Sequence, residues 1–163
     1  MIIPQSTQSI FESDAHALVC PVNTVGVMGA GLALGVRKRY PRTAELYEAW
    51  CQNWKDDAKH TLLLARDKTE PRTILFFPTK HHWRSPSDLA LIERGLSAFA
   101  TAVRNDEFRQ RGVTSFAFPQ LGCGLGALDW ESQVKPLMLR YLESLPAPLS
   151  ITFHLYHPRA SRA

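Results

Sequence analysis

A chain of 163 residues, 45% of them apolar and 21% charged, is large enough for one substantial hydrophobic core and too apolar to belong with disordered proteins. No run reaches the roughly 18 apolar residues of a membrane span, and the start MIIPQSTQSIFESDAHALV lacks the basic and apolar blocks of a secretory signal. The formal charge of +4 and three scattered cysteines, Cys20, Cys51 and Cys123, point to a cytoplasmic protein with reduced thiols and an anionic partner, and no CxxC pair is present to hold zinc.

No repeat, low-complexity segment or linker interrupts the chain, so residues 1–163 are expected to form a single domain. In chain order, residues 2–4 suggest a short first strand. Leu18–Val22 is a second, followed by a glycine-rich loop and a helix that opens at Leu32-Ala33-Leu34 and ends in Arg37, Lys38 and Arg39. Thr43–Trp54 is helical, with Leu46, Tyr47, Trp50 and Trp54 on one side. Thr61–Ala65 is a weak strand and Thr73–Phe77 a strong one. The next helix has Ser85 as cap, Pro86 at its first position and the acid Asp88 behind them. Its apolar face at 89, 92, 96, 99 and 103 stops before Arg109 and Arg111. Val113–Phe118 is a strand, 130–143 a helix that Pro136 must kink or delay, and Ile151–Tyr156 an alternating, half-buried strand near an edge. Strands alternating with helices give an α/β sandwich around a mainly parallel sheet, and the apolar stripes are core.

Two glycine-rich loops each follow a buried strand. The first, Asn23-Thr24-Val25-Gly26-Val27-Met28-Gly29-Ala30-Gly31, leads straight into a helix, where free N–H groups and the helix dipole favour phosphate. It matches neither the P-loop nor the GxGxxG dinucleotide fingerprint. The second, Pro119-Gln120-Leu121-Gly122-Cys123-Gly124-Leu125-Gly126, packs three glycines into five residues and forms an anion nest. Ligands in open α/β sheets sit beyond the carboxyl ends of the strands, so the pair could clamp a diphosphate from both sides.

Ala17-Leu-Val-Cys-Pro-Val-Asn23 with Gly-Val-Met-Gly-Ala-Gly-Leu-Ala-Leu after it resembles the strand and first ligand loop of macrodomains. Phe118-Pro-Gln-Leu-Gly-Cys-Gly-Leu-Gly126 is similar to their second, phosphate-binding loop. Phe77-Pro-Thr-Lys80 followed by His81-His82-Trp83-Arg84 resembles one branch of the superfamily. That branch holds the terminal ADP-ribose protein glycohydrolase and the DarG-type antitoxins, which remove ADP-ribose from thymidine in single-stranded DNA; the motif pairing looks most like the DarG type. The resemblance implies a three-layer α/β/α fold with a mixed, mostly parallel sheet and ADP-ribose lying across its top. It places Asn23 at the distal ribose, and Val27, Met28, Gly29, Ala30 and Gly31 around that ribose and the diphosphate. It gives the phosphates the amides of Gly122, Cys123, Gly124, Leu125 and Gly126. Ser9 and Ile10 stand where many macrodomains hold adenine with an acidic residue. Lys80 matches the catalytic lysine of the branch, with Asn23 as the second catalytic candidate. The protein-directed relatives carry an aspartate where this chain has Gly126, which disfavours their ester-cleaving mechanism here; Asp129 is better placed to cap the following helix.

A neutral amine can trap the ring-opened sugar aldehyde as a Schiff base, whereas a protonated one can stabilise the departing base. A closed groove or a neighbouring cation such as Arg84 or His82 would favour the neutral form. Both roles remain open for Lys80. His81, His82, Trp83 and Arg84 would line the DNA side, with rings to stack bases and a guanidinium for phosphate. The basic triad at 37–39 is better explained by helix-dipole compensation than by DNA contact. His154 and His157 face opposite sides of a strand, nothing else supplies a ligand cluster, and neither metal nor cofactor is expected. The expected partners are ADP-ribosylated single-stranded DNA, ADP-ribose as product and a cognate DNA ADP-ribosyltransferase toxin, with no membrane. The alternatives are a non-catalytic ADP-ribose-binding domain and a hydrolase of ADP-ribosyl esters on protein.

Overall fold

The computed structural model describes residues 1–55, 57 and 61–156. Its strands are β1 (Gln5–Ser6), β2 (Ala17–Asn23), β3 (Leu63–Ala65), β4 (Thr73–Lys80), β5 (Ser115–Pro119) and β6 (Ser150–His154). They form a sheet in the order β1-β6-β5-β2-β4-β3, parallel throughout except for the antiparallel edge strand β3. The helices are α1 (Gly31–Arg39), α2 (Pro41–Cys51), α3 (Leu89–Arg104), the short α4 (Glu107–Gln110) and α5 (Lys135–Leu142). None is long and apolar enough to cross a membrane among the described residues.

The central strands read as continuous apolar runs because both faces are covered, as parallel sheets require. Ala17, Val19, Leu75, Phe77, Phe116 and Phe118 belong to one buried cluster with residues of α3 and α5. Phe99 of α3 anchors it, meeting Phe116 and Phe118 edge-on at 4.9 and 5.2 Å between centroids. Gly95 lets α3 lie close to β4, since a Cβ there would stand 2.4 Å from the Phe77 ring. Leu18, Cys20, Val22, Ile74 and Phe76 form the second cluster with Val36 of α1 and with Ala44 and Tyr47 of α2. The result is a three-layer α/β/α fold, and burying each of these aromatic rings contributes on the order of 2 kcal/mol.

Several boundaries differ from the sequence reading. The first strand lies at Gln5–Ser6, not 2–4, because its pairing to β6 uses the amides of Phe153 and Leu155 against the carbonyls of Pro4 and Ser6. The cap of α3 is Asp88 and not Ser85: its carboxylate accepts from the amides of Ala90 (2.9 Å) and Leu91 (3.4 Å). Pro86 therefore stays in the connection before the helix. α2 starts two residues early, with Pro41 in its first turn, and ends at Cys51 rather than Trp54. β4 runs on to Lys80, β5 starts at Ser115 and β6 ends at His154. The helix expected over 130–143 is split into a wide π turn at Trp130–Val134 and α5. Pro136 has no N–H to continue the ladder, so the delay has a direct cause. Asp129 caps that turn, accepting from the Ser132 amide (2.8 Å) and hydroxyl (2.6 Å), and these bonds hold its carboxyl below the usual value. His157 lies outside the described residues; His154 is buried, with Nδ1 facing the Gln8 carbonyl at 3.2 Å.

Candidate site at the carboxyl end of the sheet

β2 and β4 are neighbours, and an irregularity between Val22 and Asn23 sets Asn23 opposite Lys80. The two residues that close these strands are thus paired at the carboxyl edge. The Thr24 amide extends the contact by donating to the Lys80 carbonyl (3.2 Å), and the Thr24 hydroxyl donates to the His81 carbonyl (3.0 Å). Lys80 is half-buried and His81 exposed.

Asn23 builds the loop that follows it. Its Oδ1 accepts from the amides of Val25 (3.2 Å) and Val27 (3.1 Å), and its Nδ2 donates to the Val27 carbonyl (2.7 Å). One Nδ2 hydrogen remains for a ligand. The Asn23 carbonyl accepts from the Tyr47 hydroxyl of α2. Tyr47 has no exposed surface and stacks on Phe76 at 4.7 Å, and burial pushes its phenol well above the ordinary value. The sequence reading placed Tyr47 in a core stripe; nothing in its spacing marked it as the brace of Asn23.

Beyond Asn23 the loop turns outward. Gly29, Ala30 and Gly31 are exposed, whereas Met28 is core at 1% exposure. α1 begins without a capping side chain or an acidic residue in its first turn. The amides of Leu32 and Ala33 accordingly have no acceptor among the described residues, an arrangement that suits an anion.

The second loop meets the first. Leu125 is 75% exposed, and its Cδ1 lies 3.7 Å from where a Cβ on Gly31 would stand. Internal bonds fix the shape of the loop: Cys123 N to Gln120 O (3.2 Å), Ala127 N to Gly124 O (3.3 Å) and Leu128 N to Gly122 O (3.0 Å). The amides of Gly124, Leu125 and Gly126 make no such bond. Gly122 has φ +72°, open to glycine at little cost. Burial, then the nearby Asp129 charge, pushes the Cys123 thiol up to about 11, so it is protonated at neutral pH.

After Lys80 the chain presents an exposed stack. His82 and Trp83 stack at 5.3 Å with their planes inclined by 28°, and the Arg84 guanidinium sits 4.6 Å above the Trp83 ring. Trp83 is 48% exposed, so it is a surface platform rather than a core residue. His81 turns away from the stack and meets Trp54 edge-on at 5.5 Å.

The adenine candidates Ser9 and Ile10 lie at a short 3-10 turn, Ser9 exposed and Ile10 buried. Ser9 caps a 3-10 turn over Ile10–Glu12, its hydroxyl accepting from the Phe11 amide at 3.3 Å, and the Ile10 side chain is buried in the α1–α2 cluster. Arg39, at the end of α1, stacks over Phe11 at 3.9 Å. Among the described residues, no three His, Cys, Asp or Glu side chains are grouped to hold a metal ion.

The family profile described as Macro domain matches residues 19–136. A DNA ADP-ribosyl glycohydrolase of Mycobacterium tuberculosis is 36% identical over 146 residues, covering 89% of this chain and 40% of that protein. A DNA ADP-ribosyl transferase-DNA ADP-ribosyl glycohydrolase fusion protein of Thermosipho africanus is 35% identical over 87% of this chain and 39% of its own length. The chain thus spans about two fifths of the curated relatives it matches. The solved macrodomain of Mycobacterium tuberculosis DarG superposes with a TM-score of 0.78 at 34% identity, covering 97% of this chain and 99% of that one.

Proposed function

The chain belongs to the Macro domain family, and from that premise we propose that it is a glycohydrolase removing ADP-ribose from thymidine bases of single-stranded DNA. The observation that carries this reading is the pairing of Asn23 with Lys80 at the mouth of two glycine loops in which the amides of Leu32, Ala33, Gly124, Leu125 and Gly126 have no acceptor among the described residues. The amides of Leu32, Ala33, Gly124, Leu125 and Gly126 would hold the diphosphate. The remaining Nδ2 hydrogen of Asn23 would go to the distal ribose, and Lys80 would stand at its anomeric carbon. The bond that breaks joins that carbon to the thymine nitrogen. Thymine leaves as a delocalised imide anion that takes up a proton, and water supplies the hydroxyl left on the sugar.

Lys80 acts in one of two ways: its neutral amine attacks the anomeric carbon and displaces thymine as its anion, the resulting glycosylamine losing a proton and opening to an imine that water hydrolyses to ADP-ribose and free amine, or its cation stabilises the departing base. Borohydride added during turnover separates them, because only an imine leaves a reduced sugar adduct on Lys80. The exposed His82–Trp83–Arg84 stack supports a nucleic-acid acceptor, since base stacking contributes about 1–3 kcal/mol per base. The thymidine glycohydrolase activity reverses a modification, so its partner is a DNA ADP-ribosyltransferase and its role that of an antitoxin.

The test is ADP-ribosylated single-stranded DNA incubated with the native chain beside Lys80→Ala. The native chain should release free ADP-ribose, and the variant should turn over at least about 100-fold more slowly while binding ADP-ribose within about threefold of native. An ADP-ribosyl-glutamate peptide cleaved faster than the DNA would replace this reading with protein-ester hydrolysis. ADP-ribose binding without any turnover would leave a reader domain.

A further inference from the structure

The connection from β4 to α3 supports the second glycine loop from below. The Ser87 amide donates to the Gly126 carbonyl at 2.9 Å, and the next amide, of Asp88, donates to Thr79 O at 2.8 Å. Ser87 is 8% exposed, and its hydroxyl is hidden with no hydrogen-bond partner among the described residues. Buried hydroxyls are rarely left so, because the lost hydration is uncompensated.

The position of this hydroxyl suggests its use. A Cβ on Gly126 would stand 2.0 Å from Ser87 Oγ and 2.4 Å from the Gly122 carbonyl oxygen. Donor and acceptor therefore crowd the same point beneath the loop without being bonded to each other. The Gly122 oxygen accepts one bond, from the Leu128 amide at 3.0 Å, and a carbonyl has a second lone pair to offer.

We propose that Ser87 is a positioning residue that latches the phosphate loop: when the amides of Gly124, Leu125 and Gly126 close on a diphosphate, the Ser87 hydroxyl donates to the Gly122 carbonyl. This rests on the reading of that loop as the diphosphate site. The latch also ties the loop to the segment that carries Lys80, since Ser87 follows it by seven residues and Asp88 is bonded back to Thr79. A hydroxyl left without a partner until the loop closes costs the protein stability and contributes only on binding.

The test uses Ser87→Ala and Ser87→Cys, the latter keeping bulk but donating weakly. By calorimetry both should bind ADP-ribose about 3- to 10-fold more weakly than the native chain, the span of one net hydrogen bond. Without nucleotide both should melt at or above the native temperature. ADP-ribose should slow hydrogen exchange at amides 122–128 less in the variants than in the native chain. Unchanged affinity in Ser87→Ala overturns the latch, and so does a melting temperature that falls in step with affinity, which assigns the hydroxyl to packing. A native chain that binds no ADP-ribose overturns the diphosphate reading itself, and the latch with it.

Discussion

The two ends of the sheet treat their hydrogen-bond donors in opposite ways. At the amino end, an open cleft of about 500 Å³ is lined by Arg66, Arg72, Arg111 and His16 among others, and concavity and charge alone would mark it as a site. Its donors are committed, however. Arg72 reaches the carbonyls of Ala15 (2.9 Å) and Ser13 (2.7 Å), Arg111 that of Leu64 (3.1 Å) and Arg66 that of Glu70 (3.2 Å). The Glu70 carboxylate accepts from the Thr43 amide (2.6 Å) and hydroxyl (2.7 Å) and the Arg42 amide (3.2 Å), pinning the start of α2. At the carboxyl end the amides of Leu32, Ala33, Gly124, Leu125 and Gly126 have no acceptor among the described residues. Side-chain cations fasten loops at one end, and at the other main-chain amides are left without acceptors among the described residues.

Substitutions can break this contrast. The largest effect is expected from Gly126→Asp, which restores the acid of the protein-directed relatives. Its Cβ would collide with Ser87 Oγ and the Gly122 carbonyl, so about 3 kcal/mol of stability should be lost, with ADP-ribose affinity falling more than tenfold. A stable variant with native affinity, read by denaturant melts and calorimetry, would contradict the packing argument. Arg72→Ala should cost about 2 kcal/mol by removing two charge-assisted bonds and leave ADP-ribose affinity unchanged. A weakened affinity would show that the two ends are coupled. Tyr47→Phe removes the bond to the Asn23 carbonyl, with an expected loss of about 1 kcal/mol and a weaker grip on ADP-ribose. The smallest effect concerns acid. Partial burial pushes the Glu70 carboxyl up, yet its bonds from Thr43 and Arg42 hold it below the usual value. A depressed folded pKa means that its contribution is complete above the unfolded value near pH 4 to 5 and is lost as the pH falls through the folded one. Melting curves from pH 6 to 3 should therefore decline more steeply for the native chain than for Glu70→Gln.

The parts legible in the sequence were those set by local pattern. Apolar runs marked β2, β4 and β5 because two-sided burial leaves no polar alternation. Glycine spacing marked both loops because a turn next to a helix start needs it. What escaped depends on contacts across the chain. Ser85 and Pro86 look like a helix start, but the amides of Ser87 and Asp88 are claimed by the Gly126 and Thr79 carbonyls, which keeps that stretch extended until Asp88 can cap. β1 exists only where Pro4 and Ser6 find β6, nearly 150 positions away. Asn23 was singled out as a ribose ligand, and the structure adds its work within its own loop. Tyr47 and Ser87 carried no local signal, since their roles lie in the carbonyls they meet.

The margins of the sheet carry a consequence of their own. β1 has two residues and β3 three, so each flank offers a stranger's backbone only a few rungs. Sheets with long bare flanks recruit further chains and grow into fibrils or tangled dimers. Flanks clipped this short leave strand-to-strand recruitment little backbone to start from.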